Sequence, residues 1–371
     1  MSPIDRRMVT SVNWTLFALT LALFAFGVLN LYSASGYRLE DGMSINPFYQ
    51  KQLIWGMLGL GGMILVQFFD YRHLQSAAWP LFILSVILLM AVFVAGKHIY
   101  GARRWLDLGF FNFQPSEMAK IAVLIVGARI LSREKEHLDF FRLAYVCGVG
   151  LIPAGLIVLQ PDLGSGLSLL LILGGMILYR GLTKRVFRTL VILGPCLLPL
   201  GWFFLHDYQK RRILSFLDPE MDPMGAGYHK LQSEIAIGSG RIWGKGFLGG
   251  TQSQLRFLPE KHTDFAFAVF GEEWGFVGSM VLLALLCIFL YQMAVSAREA
   301  RDLFGSYLAA GVFFYFFWQI LINMGMVLGL MPVVGIPLPF LSYGGTATLV
   351  NFCLVGLVLN VSMRRFLFKQ R

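Results

Sequence analysis

The sequence predicts an all-α polytopic membrane protein of about ten transmembrane helices, with one large structured extracytoplasmic loop between helices seven and eight. Three observations predict it. Only 14% of the 371 residues are charged and 57% are hydrophobic, where a soluble domain carries about 25% charged residues. The apolar residues come in unbroken blocks rather than at helical or alternating spacing. Lysine and arginine gather in every second connection between those blocks.

Blocks of a length that spans a bilayer core, about 17–25 residues, lie near 12–34, 51–69, 75–95, 115–132, 143–160, 162–180, 187–205, 268–295, 304–330 and 344–363. The first, after Arg6 and Arg7 and ending at Ser33-Ala34-Ser35, imitates a cleaved leader. Its run from Val12 to Tyr32 exceeds the roughly 7–15 residues of a leader's apolar region, so it reads as a retained helix. The fifth and sixth blocks meet at Gln160-Pro161-Asp162, a very tight turn. An even count puts both termini on one side. With the termini in the cytoplasm, inner segments hold seventeen Lys/Arg and short outer loops five: Arg38, Lys51, Lys97, Arg103 and Arg104. The long loop weighs little in this count. The net charge of +10 is therefore a topological signal, not the footprint of a nucleic-acid binder. Residues 1–371 read as a single integral membrane domain, and the dispersed Cys147, Cys196, Cys287 and Cys353 as small buried apolar residues.

Charged residues inside or at the rim of a span are costly and hence functional suspects. They are Glu117, Lys120, Asp162, Asp264, Glu272 and Glu273. Glu117 and Lys120 follow Pro115 at the start of the fourth span, where a proline and an acid both suit a helix N-terminus. Their i,i+3 spacing lets them pair on one face. That pair either merely neutralises itself within the bundle or presents a positioned positive charge. From Asp264 to Val295 is 32 residues, about 48 Å of helix, against a hydrocarbon core of about 30 Å. The first part, up to Gly271-Glu272-Glu273-Trp274-Gly275, must tilt, break or stand in the headgroup zone. Asp264 then sits at the outer interface, either capping a helix or facing a substrate.

The loop 206–262 is too long for a simple connection and too rich in apolar residues to be disordered. Residues 227–237 read as an amphipathic helix, and 238–250 hold six glycines with Arg241 and Lys245. Glycine backbone with basic side chains suits phosphate, although Gly244-Lys245-Gly246 lacks the following Ser/Thr of a P-loop. Segment 331–345 is apolar yet holds three prolines and three glycines. Irregular backbone at membrane depth must be buried by protein or line a cavity, so this segment is either a structural turn or the wall of a polar cleft. No metal-ligand cluster, Ser-His-Asp spacing or nucleotide motif is visible.

Several motifs then fall into a known order. Gly101-Ala102-Arg103-Arg104-Trp105-Leu106-Asp107-Leu108-Gly109, Phe113-Gln114-Pro115-Ser116-Glu117, Gln160-Pro161-Asp162-Leu163-Gly164, Leu258 through Phe265 and Asn323 through Gly345 resemble the shape, elongation, division and sporulation (SEDS) family over nearly the whole chain. His206 through Gln209, Asp222 through His229 and Gly250 through Leu255 resemble its elongation branch rather than its division branch. The resemblance implies ten helices and a peptidoglycan glycosyltransferase of the bacterial inner membrane, which polymerises lipid II during cell elongation. It implies a class B penicillin-binding protein as partner, with other elongation-complex membrane proteins. It places the family's essential aspartate on Asp264, its charged helix pair on Glu117 and Lys120, its important tryptophan on Trp105, and basic positions on Arg104 and Arg212.

On that basis Asp264 is the expected general base on the acceptor sugar. Lys120, oriented by Glu117, would stabilise the departing polyprenyl pyrophosphate together with Arg104 and Arg212, with inversion at the anomeric carbon. Trp105, Lys245 and Ser342 complete the expected substrate contacts. A divalent cation, magnesium or manganese, is compatible with such a leaving group, and no organic cofactor is expected. Two other classes share the membrane fold: a lipid II flippase or transporter, and a non-catalytic scaffold for the penicillin-binding protein. Paired repeats and midplane charges would mark a transporter, whereas here the suspect residues gather at one rim.

Overall fold

In a computed structural model of the protein, the described residues are 11–35, 48–99, 102–107, 109, 112–134, 137–204, 207–218, 222, 225–255, 257–258 and 260–365. Arg6, Arg7, Arg38, Gly101, Leu108, His206, Pro223 and Met224, all used above, lie outside them.

Ten long helices appear among the described residues, one for each apolar block. They are α1 (Trp14–Ala34), α2 (Phe48–Phe68), α3 (His73–Ala95), α4 (Pro115–Arg133), α5 (Phe140–Leu159), α6 (Leu163–Arg180), α7 (Lys184–Phe204), α11 (Ala266–Arg298), α12 (Leu303–Val327) and α13 (Gly345–Met363). Between α7 and α11 lie three shorter helices, α8 (Asp207–Leu217), α9 (Ala226–Gly240) and α10 (Thr251–Gln254). The amphipathic stretch read at 227–237 is therefore helical. Eight of the long helices are apolar enough by length and composition to cross a membrane. The other two, α4 and α7, are 19 and 21 residues long and begin with charged side chains. Helix α4 can carry Glu117 and Lys120 because it is enclosed by α3, α6 and α12; both charged residues are buried. Protein rather than lipid surrounds them.

Two features depart from the sequence reading. The described residues of the connection 96–114 include a small antiparallel sheet, β1 (Gly96–Ile99), β2 (Ala102–Asp107) and β3 (Asn112–Phe113). Its strands are too short to show alternation, and lysine and arginine mask what alternation there is. The cysteines are free and half-buried or exposed on helix surfaces rather than buried. In lipid an exposed apolar position costs nothing, so burial is not required of them.

Helix α11 does break, at Gly275, whose φ of 64° and ψ of −162° lie outside helical space. A broken helix leaves carbonyls and amides without partners, which lipid cannot supply. The glycine-rich strap 241–250 supplies them. Phe276 N donates to Arg241 O at 2.8 Å and Val277 N to Ile242 O at 3.0 Å, while Lys245 N and Gly246 N donate to the carbonyls of Glu272 and Glu273, each at 3.0 Å. The glycines of this strap, a composition that suits phosphate, here allow backbone to lie directly on backbone. Gly244 (φ 78°) sits so close that a Cβ would collide with the Glu273 carbonyl. Gly244→Ala should therefore lower the thermal midpoint of the detergent-solubilised protein. The left-handed conformation alone costs about 1–2 kcal/mol, and displacement of the strap adds to it. An unchanged melting curve would show that the strap does not hold the break.

The irregular segment 328–344 joins α12 to α13 and is held by side-chain amides. Buried Gln52 of α2 donates to Ser342 O at 3.3 Å and to Thr348 Oγ1 at 3.0 Å, and its carbonyl accepts from Gly344 N at 3.4 Å. Lower down, α2 lies tightly on α13, where a Cβ on Gly356 would meet Met63 O at 2.8 Å. Small residues permit that approach. The sheet, the α5–α6 turn, α8–α10 and segment 328–344 all lie at one end of the bundle.

Candidate active site

At that loop-rich end the bundle opens into a cleft of about 820 Å³. Its walls come from six places in the chain. Helix α2 contributes Lys51, Ile54, Trp55 and Leu58; the sheet contributes Arg104, Trp105 and Asn112; α4 contributes Glu117 and Lys120. Asp162, Ser165 and Ser168 come from the α5–α6 turn and α6, and Thr263 and Asp264 from the loop before α11. Segment 335–347 closes the remaining side with Gly335, Ile336, Pro337, Tyr343, Gly344, Gly345, Thr346 and Ala347. Ile54 and Leu58 are more than half exposed, so the α2 wall of this polar cleft is continuous with the apolar outer surface.

The Lys120 ammonium lies 2.7 Å from Glu117 Oε1, and both side chains are nearly inaccessible. The second carboxylate oxygen, Oε2, lies 3.3 Å from the Tyr315 hydroxyl, which is also 3.0 Å from the Asn351 side-chain oxygen. The Tyr315 ring faces the ammonium at 5.4 Å from its centroid, a favourable cation–π geometry. Glu117 is thus held from two sides and in turn fixes Lys120 at the cleft floor. The pair neutralises itself within the bundle and also borders the cavity.

Asp264 does not cap α11. The N-cap position is Phe265, with no side-chain capping bond, and the Asp264 carboxyl lines the cleft instead. Asp162, by contrast, is a true cap, accepting from Ser165 N at 3.1 Å. The loop bearing Asp264 is pinned by neighbours on either side. His262 stacks on Phe48 at 4.2 Å and accepts from Tyr343 N through its carbonyl at 2.7 Å, and His229 of α9 stacks on Phe265 at 5.9 Å. Burial pushes the Asp264 carboxyl up from its ordinary value of 3.8 to about 6; Glu260 and Asp162 add to the rise and the Arg212 guanidinium opposes it.

Arg104 reaches from β2 to the α5–α6 turn. It donates to Gln160 O at 3.4 Å and to Pro161 O, and lies 3.9 Å from Asp162 Oδ1. It therefore fastens the sheet over the cleft while lining it. Arg212 of α8 donates to Val334 O at 3.1 Å; it acts on Asp264 through its charge and is not a lining residue. Two expected contacts are placed elsewhere. Lys245 is 2.7 Å from Oε1 of the buried Glu272, a carboxylate that also accepts from Thr251 Oγ1 at 3.1 Å and Gln252 N at 2.9 Å. A carboxylate wholly shut from solvent needs those donors, so Lys245 serves the strap. Ser342 is buried in a tight turn, its hydroxyl accepting from Leu338 N at 2.9 Å. It shapes the wall from behind.

Lys51 and Trp55 line the cleft without having been selected from sequence. A signal existed: Lys51 lies inside α2, where a charge is costly, and Trp55 and Leu58 follow at i+4 and i+7 on the same face. Read only as an orientation charge, Lys51 was passed over. Ser165 and Ser168, one helical turn apart on α6, gave no signal that separates them from ordinary helix serines.

The profile of the family described as "Cell cycle protein", FtsW/RodA/SpoVE, matches residues 13–366. The peptidoglycan glycosyltransferase MrdB of Escherichia coli K12 is 42% identical over 354 residues, covering 95% of this chain and 93% of that protein. A probable peptidoglycan glycosyltransferase FtsW of Geobacter metallireducens is 38% identical, covering 93% of each. Among solved structures, a chain from work described as "Structural coordination of polymerization and crosslinking by a peptidoglycan synthase complex" superposes with a TM-score of 0.81 at 33% identity, covering 96% of this chain and 98% of that one. The rod shape determining protein RodA of Thermus thermophilus gives a TM-score of 0.70 at 29% identity, with the same coverage.

Proposed function

This chain belongs to the FtsW/RodA/SpoVE family, and from that membership we infer how its cleft carries out the reaction. It is a multi-pass membrane protein and a peptidoglycan glycosyltransferase. The observation that carries the mechanistic reading is the cleft itself, which gathers Asp264, Lys120 and Arg104 in one cavity whose α2 wall runs out to the apolar surface. A lipid-linked sugar could place its headgroup there while its tail stays among acyl chains.

The substrate is lipid II, and the reaction forms a bond between the 4-hydroxyl oxygen of one sugar and the anomeric carbon of another. The Asp264 carboxylate takes the hydroxyl proton, and the bond from the anomeric carbon to the diphosphate breaks with its electron pair leaving on the diphosphate. Attack from the face opposite the leaving group inverts the anomeric centre. Lys120, held by Glu117 and the Tyr315 ring, offers the charge that a departing polyprenyl diphosphate requires. Arg104 adds to it from the sheet, and Arg212 acts on the ionisation of Asp264. Trp105 on β2 supplies an apolar face for a sugar ring.

No cluster of three or more His, Cys, Asp or Glu side chains suited to a metal occurs among the described residues. Asp162, which lines the cleft, could hold magnesium or manganese, which bind through one or two carboxylates, waters and substrate phosphate. Such an ion would neutralise charge on the diphosphate.

The positively charged connections belong in the cytoplasm, so the cleft faces the outer side of the inner membrane, with both termini inside. The likeness to a chain from a polymerising and crosslinking synthase complex supports a class B penicillin-binding transpeptidase as partner.

Purified protein given lipid II in detergent tests the reading, since no lipid need be flipped there. Glycan should form, and its initial rate should depend on pH in one direction. Asp264 must be ionised to accept a proton and its value lies at about 6. The rate should therefore hold above that pH and fall about tenfold per unit below it. A rate flat down to about pH 5 would remove Asp264 as the base.

A further inference from the structure

Asn323 lies on α12, one turn from its C-terminal end, and is wholly buried. Its amide nitrogen donates to two main-chain carbonyls that belong to different segments, Asp264 O at 2.8 Å and Ile336 O at 2.7 Å. Its own side-chain oxygen is buried with no hydrogen-bond partner among the described residues. Leaving such an oxygen unpaired is costly, and a leucine of similar volume would avoid the cost. What leucine lacks is a planar amide with two diverging N–H groups. The two carbonyls it joins belong to neighbouring segments that both line the cleft. Across the joint, Asp264 Oδ2 lies 3.3 Å from where a Cβ on Gly335 would sit, so the carboxyl rests against the segment to which Asn323 ties it.

We propose that Asn323 is a positioning residue for glycosyl transfer: by joining Asp264 O to Ile336 O it sets the direction in which the Asp264 carboxylate meets the acceptor hydroxyl. This rests on the reading of Asp264 as the base. Asn323 touches no substrate, since it is closed off from the cavity. It acts through the backbone of two segments that otherwise have little regular structure to hold them. Without the tie, the loop before α11 and the proline-rich wall can part, and water can enter beside Asp264. The charged groups facing Asp264 from the packed elements, Glu260, Asp162 and Arg212, would remain in place.

The test uses the full chain in detergent with lipid II as substrate, comparing the native protein with Asn323→Leu, Asn323→Ser and Asp264→Asn. For a folded Asn323→Leu, kcat should fall on the order of 10²-fold, the cost of a small misplacement of a reacting group. KM should change by less than about threefold, since uniform binding is not what the tie supplies. The acid limb of its pH–rate profile should move below that of the native protein, because burial is the largest cause of the raised Asp264 value. If Asn323→Leu does not fold, Asn323→Ser, whose single short hydroxyl cannot join both carbonyls, breaks the tie without bulk and is read in the same way. A folded variant with native kcat, or one with reduced kcat and an unmoved acid limb, overturns the proposal. An Asp264→Asn protein that still polymerises would instead overturn the base on which it rests. An inactive Asp264→Asn beside a native-rate Asn323→Leu would overturn the positioning alone.

Discussion

Purified Asp264→Asn should polymerise lipid II at least about a hundredfold more slowly than the native chain, the lower end of what a lost general base costs. Its insertion into the membrane and its melting should be unchanged. The prediction is specific because the residue does little structural work through its side chain. The α11 N-cap is Phe265, and the tie from Asn323 goes to the Asp264 main chain. An asparagine keeps the shape and polarity while losing the ability to take a proton. A scaffold would tolerate the change, as would an enzyme whose base lies elsewhere in the cleft. Near-native glycan formation by a folded variant would falsify the assignment.

The second large effect separates structure from chemistry at Glu117 and Lys120. Removing one member of a buried ion pair leaves the other unpaired, at a cost of about 3–5 kcal/mol. Glu117→Gln and Lys120→Met should each lower the yield of folded protein and its thermal midpoint as well as activity. The double variant leaves no orphaned charge, and replacing a buried pair by neutral groups is often neutral or stabilising. It should therefore recover stability while remaining inactive, because the cleft would have lost its floor cation. Recovery of both properties would reduce the pair to a bundle contact. Recovery of neither would mean that Tyr315 and Asn351, which share the network, need an ionised partner to pack.

Helix positions were legible because lipid demands long apolar runs, and each of the ten blocks became a helix. The break in α11 was legible from length alone, since a helix from Asp264 onward overshoots the hydrocarbon core. For 331–345 the cost of unpaired backbone in lipid left two readings, a structural turn or a cleft wall, and Gly335, Ile336 and Pro337 line the cleft. The sheet at 96–113 was hidden, because two- to six-residue strands carry too few positions for a period-two signal. The strap's place in the fold was hidden for a different reason. Glycine beside lysine has the same appearance whether its backbone meets a phosphate or another main chain. Only the fold reveals that Lys245 answers Glu272, 27 positions away. Asn323 shows a further limit: a helix asparagine at membrane depth announces that it needs a partner, not which one.

The stitched break in α11 also bears on how the chain assembles. The strap precedes the helix it completes, so during synthesis it is already available when residues 266–298 emerge. The carbonyls of Glu272 and Glu273 cannot enter hydrocarbon bare, and their partners, Lys245 N and Gly246 N, each lie 27 positions earlier. Docking of the strap and seating of the half-helix must then be a single event. Damage at 241–250 should appear first as protein that never matures, long before any loss per correctly built molecule can be detected.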